Sequence, residues 1–321
     1  MPQARAACSR SASLDKGEAL STCAHTRYVS ESRNIWYVDQ NFIDYEQESG
    51  VYVQQPIAIL DSGVGGLTVA REVMRQLPRE KMIYFGDTAR APYGPRPAEE
   101  VIQYTREIVD YLIQFQPKMI VIACNTATAF ALEDIRSRVN VPVVGVIHPG
   151  ARAAIRRTKS GYIGVIGTDG TIRSRAYEYA LKQLSPHIEV ISQSCPKLVP
   201  LVEQGNFRSE ETRHTVDESL QPLFGTPIDT LILGCTHYPF LAETISESIG
   251  RQVTLISSAE ETARDISTIL QVKSKLALGT IIPVHQFYCS GDPKLFKSIA
   301  ERWLNEQIEL TPIVWQVPHI G

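Results

Sequence analysis

The sequence has no uninterrupted apolar run of about 18 residues, so nothing in it reads as a transmembrane helix. Its start lacks the apolar core, roughly 7–15 residues long, that a secretory signal requires. Charge of one sign is also missing: 32 basic against 35 acidic residues leave a net charge of −3. That balance provides no global field to draw in nucleic acid or anionic lipid, so neither is expected as a partner. Cysteine is scarce, six in 321 residues, too few for a disulfide scaffold. A cytoplasmic protein with reduced thiols is therefore expected, and any special cysteine has to be argued from its surroundings. Zinc-type C-x2-C or H-x3-H spacing is absent around Cys124 and Cys235, and the glycine-rich segment at 61–66 lacks both the Walker Lys-Ser/Thr pair and the G-x-G-x-x-G order.

What is present is ordinary globular material, 43% hydrophobic and 21% charged. The length fits about two domains at roughly 100–200 residues each. Residues 1–54 stand apart. They carry Ser9, Ser11, Ser13, Ser21, Ser30, Ser32 and Ser49, and Arg5 and Arg10 precede the first acidic residue, Asp15. A Ser/Arg-rich, acid-poor start is one mark of an organelle transit peptide. The plainer reading is a disordered extension outside the fold, or a start placed too far upstream.

From Ile57 onward, apolar β-branched runs alternate with amphipathic stretches. Strands are predicted over 57–60, 82–85, 119–123, 141–146, 162–166, 188–192, 230–233, 253–256 and 283–289. Helical periodicity lies between them, for example over 98–115 and 173–184. Continuous apolar strands separated by helices argue for an α/β fold with parallel sheets covered on both faces. The core also reads as duplicated. Ile57-Ala58-Ile59-Leu60-Asp61-Ser62-Gly63 resembles Ile163-Gly164-Val165-Ile166-Gly167-Thr168-Asp169, and Ile120-Val121-Ile122-Ala123-Cys124-Asn125-Thr126 resembles Leu231-Ile232-Leu233-Gly234-Cys235-Thr236-His237. Two ordered pairs at similar offsets predict two related, doubly wound halves.

Ligands of open α/β sheets bind at the carboxyl ends of strands. Cys124 and Cys235 each follow an apolar strand and lead into a helix. A thiol so placed feels the positive end of the helix dipole, which favours thiolate. Either cysteine alone reads equally as a small buried hydrophobe; the matched pair points to chemistry. Cys8 and Cys23 lie in the extension, and Cys195 and Cys289 read as structural. Asp61-Ser62-Gly63-Val64-Gly65-Gly66 is a tight turn or an anion cradle. Pro92-Tyr93-Gly94 is a rigid turn or a binding loop. His237, two residues from Cys235, is a structural histidine or an acid/base partner. Glu203 on its own reads as a solvated carboxylate at a helix end.

Together, 61–66, Pro92-Tyr93-Gly94, Cys124-Asn125-Thr126-Ala127 and Gly234-Cys235-Thr236-His237-Tyr238-Pro239 resemble the glutamate racemase branch of the aspartate/glutamate racemase superfamily. The resemblance runs from about Ile57 to Trp303; Pro95-Arg96-Pro97 departs from it in being richer in proline. It implies a cofactor-independent isomerase with two pseudo-symmetric α/β domains and an active site in the interdomain cleft. The implied division is 55–148 plus 257–306 for the first domain, 149–256 for the inserted second, and 307–321 for a tail. The resemblance further implies that Cys124 and Cys235 are the two bases, aided by Asp61, His237 and Glu203. Its substrate contacts fall on Asp61, Ser62, Pro92, Tyr93, Gly94, Asn125, Thr126, Thr168, Thr171, Thr236 and His237. Glutamate as substrate, supply of D-glutamate to peptidoglycan, and a homodimer follow from the same resemblance. An aspartate or other amino-acid racemase of the superfamily, and a non-catalytic amino-acid-binding regulator that retains the cleft, are the competing readings.

Overall fold

A computed structural model describes residues 55–278 and 282–314; the expected extension and residues 315–321 lie outside them. The apolar runs become parallel strands. Four open the first sheet: β1 (Ile57–Asp61), β2 (Met82–Gly86), β3 (Met119–Ile122) and β4 (Val143–Gly145). Four form the second: β5 (Tyr162–Gly167), β6 (Glu189–Ser194), β7 (Thr230–Gly234) and β8 (Thr254–Ile256). The chain then returns to the first sheet with β9 (Gln286–Cys289) and β10 (Leu310–Pro312). The orders are β10-β9-β2-β1-β3-β4 and β6-β5-β7-β8, with parallel pairing throughout both. The run β2-β1-β3-β4 repeats as β6-β5-β7-β8, and the two resembling sequence segments fall on the corresponding strands β1/β5 and β3/β7.

Strand alternation explains the two covered faces. Ala58 and Leu60 of β1 point to α2 (Ala98–Leu112) and α3 (Asn125–Arg138). Ile57 and Ile59 point to the opposite layer, with α1 (Leu67–Gln76). In the second sheet, Ile163 and Val165 pack on α4 (Ile147–Arg157) and, beyond the short α5 (Asp169–Arg173), on α6 (Ala176–Leu184). Leu231 and Leu233 face the other way, toward α7 (Leu198–Glu203), α8 (Glu210–Leu220) and α9 (Ala242–Ile249). That last layer is continuous with the α1 side of the first sheet, to which α10 (Ala259–Val272) and α11 (Pro293–Leu304) also belong. Among the described residues, no helix is long and apolar enough to cross a membrane.

Three local expectations change. The helix expected over 173–184 is broken, because Arg175 takes a left-handed conformation (φ 55°) between α5 and α6. The helix expected over 98–115 tightens into a 3-10 turn at Ile113–Phe115 and stops where Gln116 turns left-handed. The expected tail at 307–321 contributes β10, whose three residues extend the sheet edge by pairing with β9. Three residues are too few to carry a period-2 signal.

A buried ion pair secures the return of the chain. Glu80 precedes β2 and Lys118 precedes β3; their side chains pair with almost no exposure. Lys118 Nζ also donates to the Lys275 carbonyl at 2.7 Å, and the Ala277 amide donates to Glu80 Oε1 at 2.7 Å. Replacing Lys118 by Met strands a buried carboxylate. It is expected to lower unfolding free energy by about 3–5 kcal/mol, read by urea denaturation, with Glu80→Leu/Lys118→Met recovering much of the loss.

Candidate active site

In each sheet one strand pair, β1/β3 and β5/β7, marks the point where strand order reverses, and ligands bind beyond such points. The four carboxyl ends deliver Asp61 and Ser62, Cys124, Thr168, and Cys235. They meet in one cavity between the sheets. Ser62, Pro92, Tyr93, Gly94, Cys124, Asn125, Thr126, Thr168, Cys235, Thr236 and His237 line it, together with Val199. Asp61, Glu203 and Thr171 stand one layer behind. The enclosed space is about 10 Å³, room for about one water. A larger cleft of about 560 Å³, lined in part by Arg71, Arg156 and Glu261, contains neither cysteine.

Glycine sets how closely the halves approach. A Cβ on Gly65 would stand 2.3 Å from Thr236 Oγ1, and one on Gly63 2.4 Å from Glu203 Oε1. The glycines of the first turn thus admit the opposite loop. Gly94 meets the second half in the same way. A Cβ there would lie 2.5 Å from Thr168 Cβ, and the Gly94 carbonyl accepts from the Gly170 amide at 2.8 Å. Hydroxyls close the remaining seam. Thr126 Oγ1 lies 2.8 Å from Thr168 Oγ1 and 3.2 Å from Thr171 Oγ1, and the last two are 3.1 Å apart.

The two thiols have different surroundings. Cys124 caps α3, with its Sγ accepting from the Ala127 amide at 3.5 Å. The helix-start geometry anticipated from the sequence is therefore present, but burial outweighs it. Burial first, then the nearby Asp61 charge, push the Cys124 thiol up to about 12, and the Ala127 amide and Ser62 hydroxyl only partly offset them. Asp61 is itself fully buried, and burial raises its pKa despite the opposing His237 charge and the Gly63 amide, which donates to Oδ2 at 2.9 Å. Thr236 Oγ1 donates to Asp61 Oδ1 at 3.1 Å, tying the second half to the first.

Cys235 has a relay instead. Its Sγ lies 3.6 Å from His237 Nδ1, and His237 Nε2 lies 2.5 Å from Glu203 Oε1. Burial opposes charge on the ring, but hydrogen bonds to Cys235 and Glu203 and the Glu203 charge outweigh it and hold the His237 pKa well above the ordinary 6.5. Glu203 ends α7 with its side chain one-quarter exposed, so the relay runs from the cavity to the surface. Here the carboxylate that sequence alone leaves as a solvated helix end has a buried partner.

Two supporting residues went unnoticed in the sequence. Asp87, just past β2, accepts from Tyr93 Oη at 2.5 Å and from Ser290 Oγ at 2.7 Å, so it fixes the Tyr93 loop. Its strand-end position was the available signal. Tyr177 on α6 donates to Asn125 Oδ1 at 2.7 Å; nothing near it in sequence marks it. Among the described residues, no three His, Cys, Asp or Glu side chains are grouped to hold a metal ion.

Two buried thiols at equivalent strand ends of a duplicated α/β fold agree with the comparisons. The model of the Asp/Glu/Hydantoin racemase family matches residues 65–266, and the chain belongs to that family. Several relatives about half identical to it are glutamate racemases. The glutamate racemase of Oceanobacillus iheyensis is 52% identical over 255 residues, spanning 79% of this chain and 93% of that protein. The crystal structure of glutamate racemase isoform RacE1 from Bacillus anthracis has a TM-score of 0.78 at 50% identity, over 82% of this chain and 98% of that one. The glutamate racemase of Francisella tularensis, solved in complex with D-glutamate, has a TM-score of 0.76 at 32% identity over the same shares.

The raised His237 pKa has a definite sign in stability. A group whose folded-state pKa exceeds its unfolded value stabilises the fold fully below the unfolded pKa. His237 therefore contributes in full below about 6.5, and the contribution is lost as pH rises through the higher folded value. Imidazole NMR titration is expected to place its midpoint above 6.5, and Glu203→Gln is expected to lower it.

Proposed function

We propose that this protein interconverts L-glutamate and D-glutamate without a cofactor, by removing the Cα proton from one face and returning a proton to the other. The observation that carries this reading is the pair Cys124 and Cys235, lining one cavity from matching ends of β3 and β7. Inversion at Cα needs a base on one side and an acid on the other, and a duplicated fold supplies one thiol from each half. Cys124 takes the proton of D-glutamate and Cys235 that of L-glutamate. Asp61 serves the first thiol and His237 with Glu203 the second.

Cys124 has to lose its proton before it can act on D-glutamate. A thiol raised to about 12 yields little thiolate at neutral pH, so Cys124 is protonated before substrate enters. The substrate ammonium brings an opposite charge into a water-poor site, where it lowers the cost of a thiolate. Ser62, Tyr93, Gly94, Asn125, Thr126, Thr168, Thr236 and the turn at Pro92 surround the amino acid, with Thr171 behind Thr126 and Thr168, and their fixed dipoles oppose the charge that develops as the Cα proton leaves. A cavity of about 10 Å³ is far smaller than glutamate, so the residues of 55–148 and 257–306 must part from those of 149–256 to admit it. D-glutamate so formed would feed peptidoglycan synthesis in the cytoplasm, by a homodimeric enzyme.

Turnover of L-glutamate in deuterated water, with no cofactor added, is expected to place deuterium at Cα of the product enantiomer. Cys124→Ser and Cys235→Ser are each expected to lower kcat by about 10²–10⁴ in both directions, since every turnover uses both groups. Wild-type rates in both variants would remove the two-thiol mechanism.

A further inference from the structure

Asn125 follows Cys124 and is 3% exposed, yet its amide is only half satisfied. Oδ1 accepts from Tyr177, while Nδ2 is buried and has no partner among the described residues. An amide can present either its oxygen or its nitrogen to a cavity, and the two ends select opposite ligand groups. The neighbours determine which end faces the ligand here. Tyr177 is 2% exposed, and the Ser258 side chain stands beside its phenol oxygen, where the serine hydroxyl can donate to it. With Ser258 donating to that oxygen, the single phenol proton goes to Asn125 Oδ1. Nδ2 is then left as the unused donor of a residue that lines the cavity.

Tyr177 occupies a fixed place for this task. It lies on α6 of the second half, whereas Asn125 belongs to the first. Ser258 stands where the chain leaves β8 to return, and Gly150 lies in α4, where the chain first crosses. A Cβ on Gly150 would stand 3.2 Å from both Tyr177 Oη and Ser258 Cβ. On the ring's other side, a Cβ on Gly234 would stand 3.1 Å from Tyr177 Cε2. Both connections between the sheets thus converge on this one phenol.

We propose that Tyr177, held by Ser258, is a positioning residue that sets the polarity of the Asn125 amide, presenting Nδ2 as a hydrogen-bond donor to a substrate carboxylate. The assignment rests on the proposed racemase reading, in which Asn125 contacts the amino acid. It makes the site selective for an anionic oxygen at that position and unfavourable to a cationic group.

The test is a double-mutant cycle on KM and kcat for both glutamate enantiomers, using wild type, Tyr177→Phe, Asn125→Ala and the double variant. Phenylalanine keeps the packed ring and removes only the hydroxyl. Tyr177→Phe is expected to raise KM roughly tenfold, the effect of one buried hydrogen bond. The kcat is expected to stay within about threefold, because binding is lost equally from ground and transition states. In the Asn125→Ala background, Tyr177→Phe is expected to change KM by less than about twofold, because the group it orients is gone. Ser258→Ala is expected to raise KM in the same direction by less, and it decides the matter should Tyr177→Phe not fold. An equal KM rise in the Asn125→Ala background, or a fall in kcat with KM unchanged, would overturn the assignment. The same cycle is read independently of turnover as the rise in Tm that glutamate produces. A wild-type protein that binds glutamate but does not racemise it would remove the proposed function and leave the Tyr177 assignment to that thermal cycle; no glutamate-induced rise in wild type would remove both.

Discussion

Burial of two thiols between two sheets is the constraint on which the rest of this site depends. Racemisation at a carbon acid of such weak acidity needs a base kept away from water, and desolvation is what makes a thiolate costly. The structure meets the conflict differently at the two poles. Around Cys124 the groups are sealed: Asp61 is wholly buried, and both thiol and carboxyl are driven toward their neutral forms. Around Cys235 the imidazole of His237 and the partly exposed Glu203 open a line to the surface. Protons therefore have a marked route on one side and a closed end on the other, although the strands that carry the thiols are equivalent.

Close approach of the two halves makes the sealing effective. Glycine at 63, 65 and 94 lets backbone meet side chain where a methyl group would collide. The threonine hydroxyls at 126, 168 and 171 satisfy one another across the seam while the cavity is small. On the proposed reading, a substrate replaces those mutual hydrogen bonds with its own. Closure then costs little polar satisfaction, since hydroxyls that lose one another gain the ligand.

Much of this was legible in the sequence, for identifiable reasons. The strands showed themselves because both sheets are parallel and doubly covered, which makes each strand a near-continuous apolar run. Cys124 and Cys235 stood out because a strand end precedes each and the segments resemble one another. Glu203 could not be weighed, since its partner His237 is 34 residues away and only the fold brings them together. Tyr177 had the same difficulty: its hydroxyl matters through Asn125, 52 positions earlier. The helix contribution at Cys124 could be read locally, whereas the burial that outweighs it is a property of the assembled halves. The glycines of 61–66 were legible as a tight approach, but what approaches them comes from 203, 236 and 237.

The strand order describes two halves, but the apolar interior does not divide that way. One buried cluster contains Val69 and Val73 of α1, Ile266 of α10, Leu231 of β7 and Ile245 of α9, and so passes from the first sheet's outer layer into the second's without interruption. Neither half can expose its share of that cluster without opening the other's. The chain is thus duplicated in architecture and undivided in thermodynamics: melting is expected to be a single cooperative event, and the inserted segment, cut out at its two crossings, would carry an unmatched apolar face into solution.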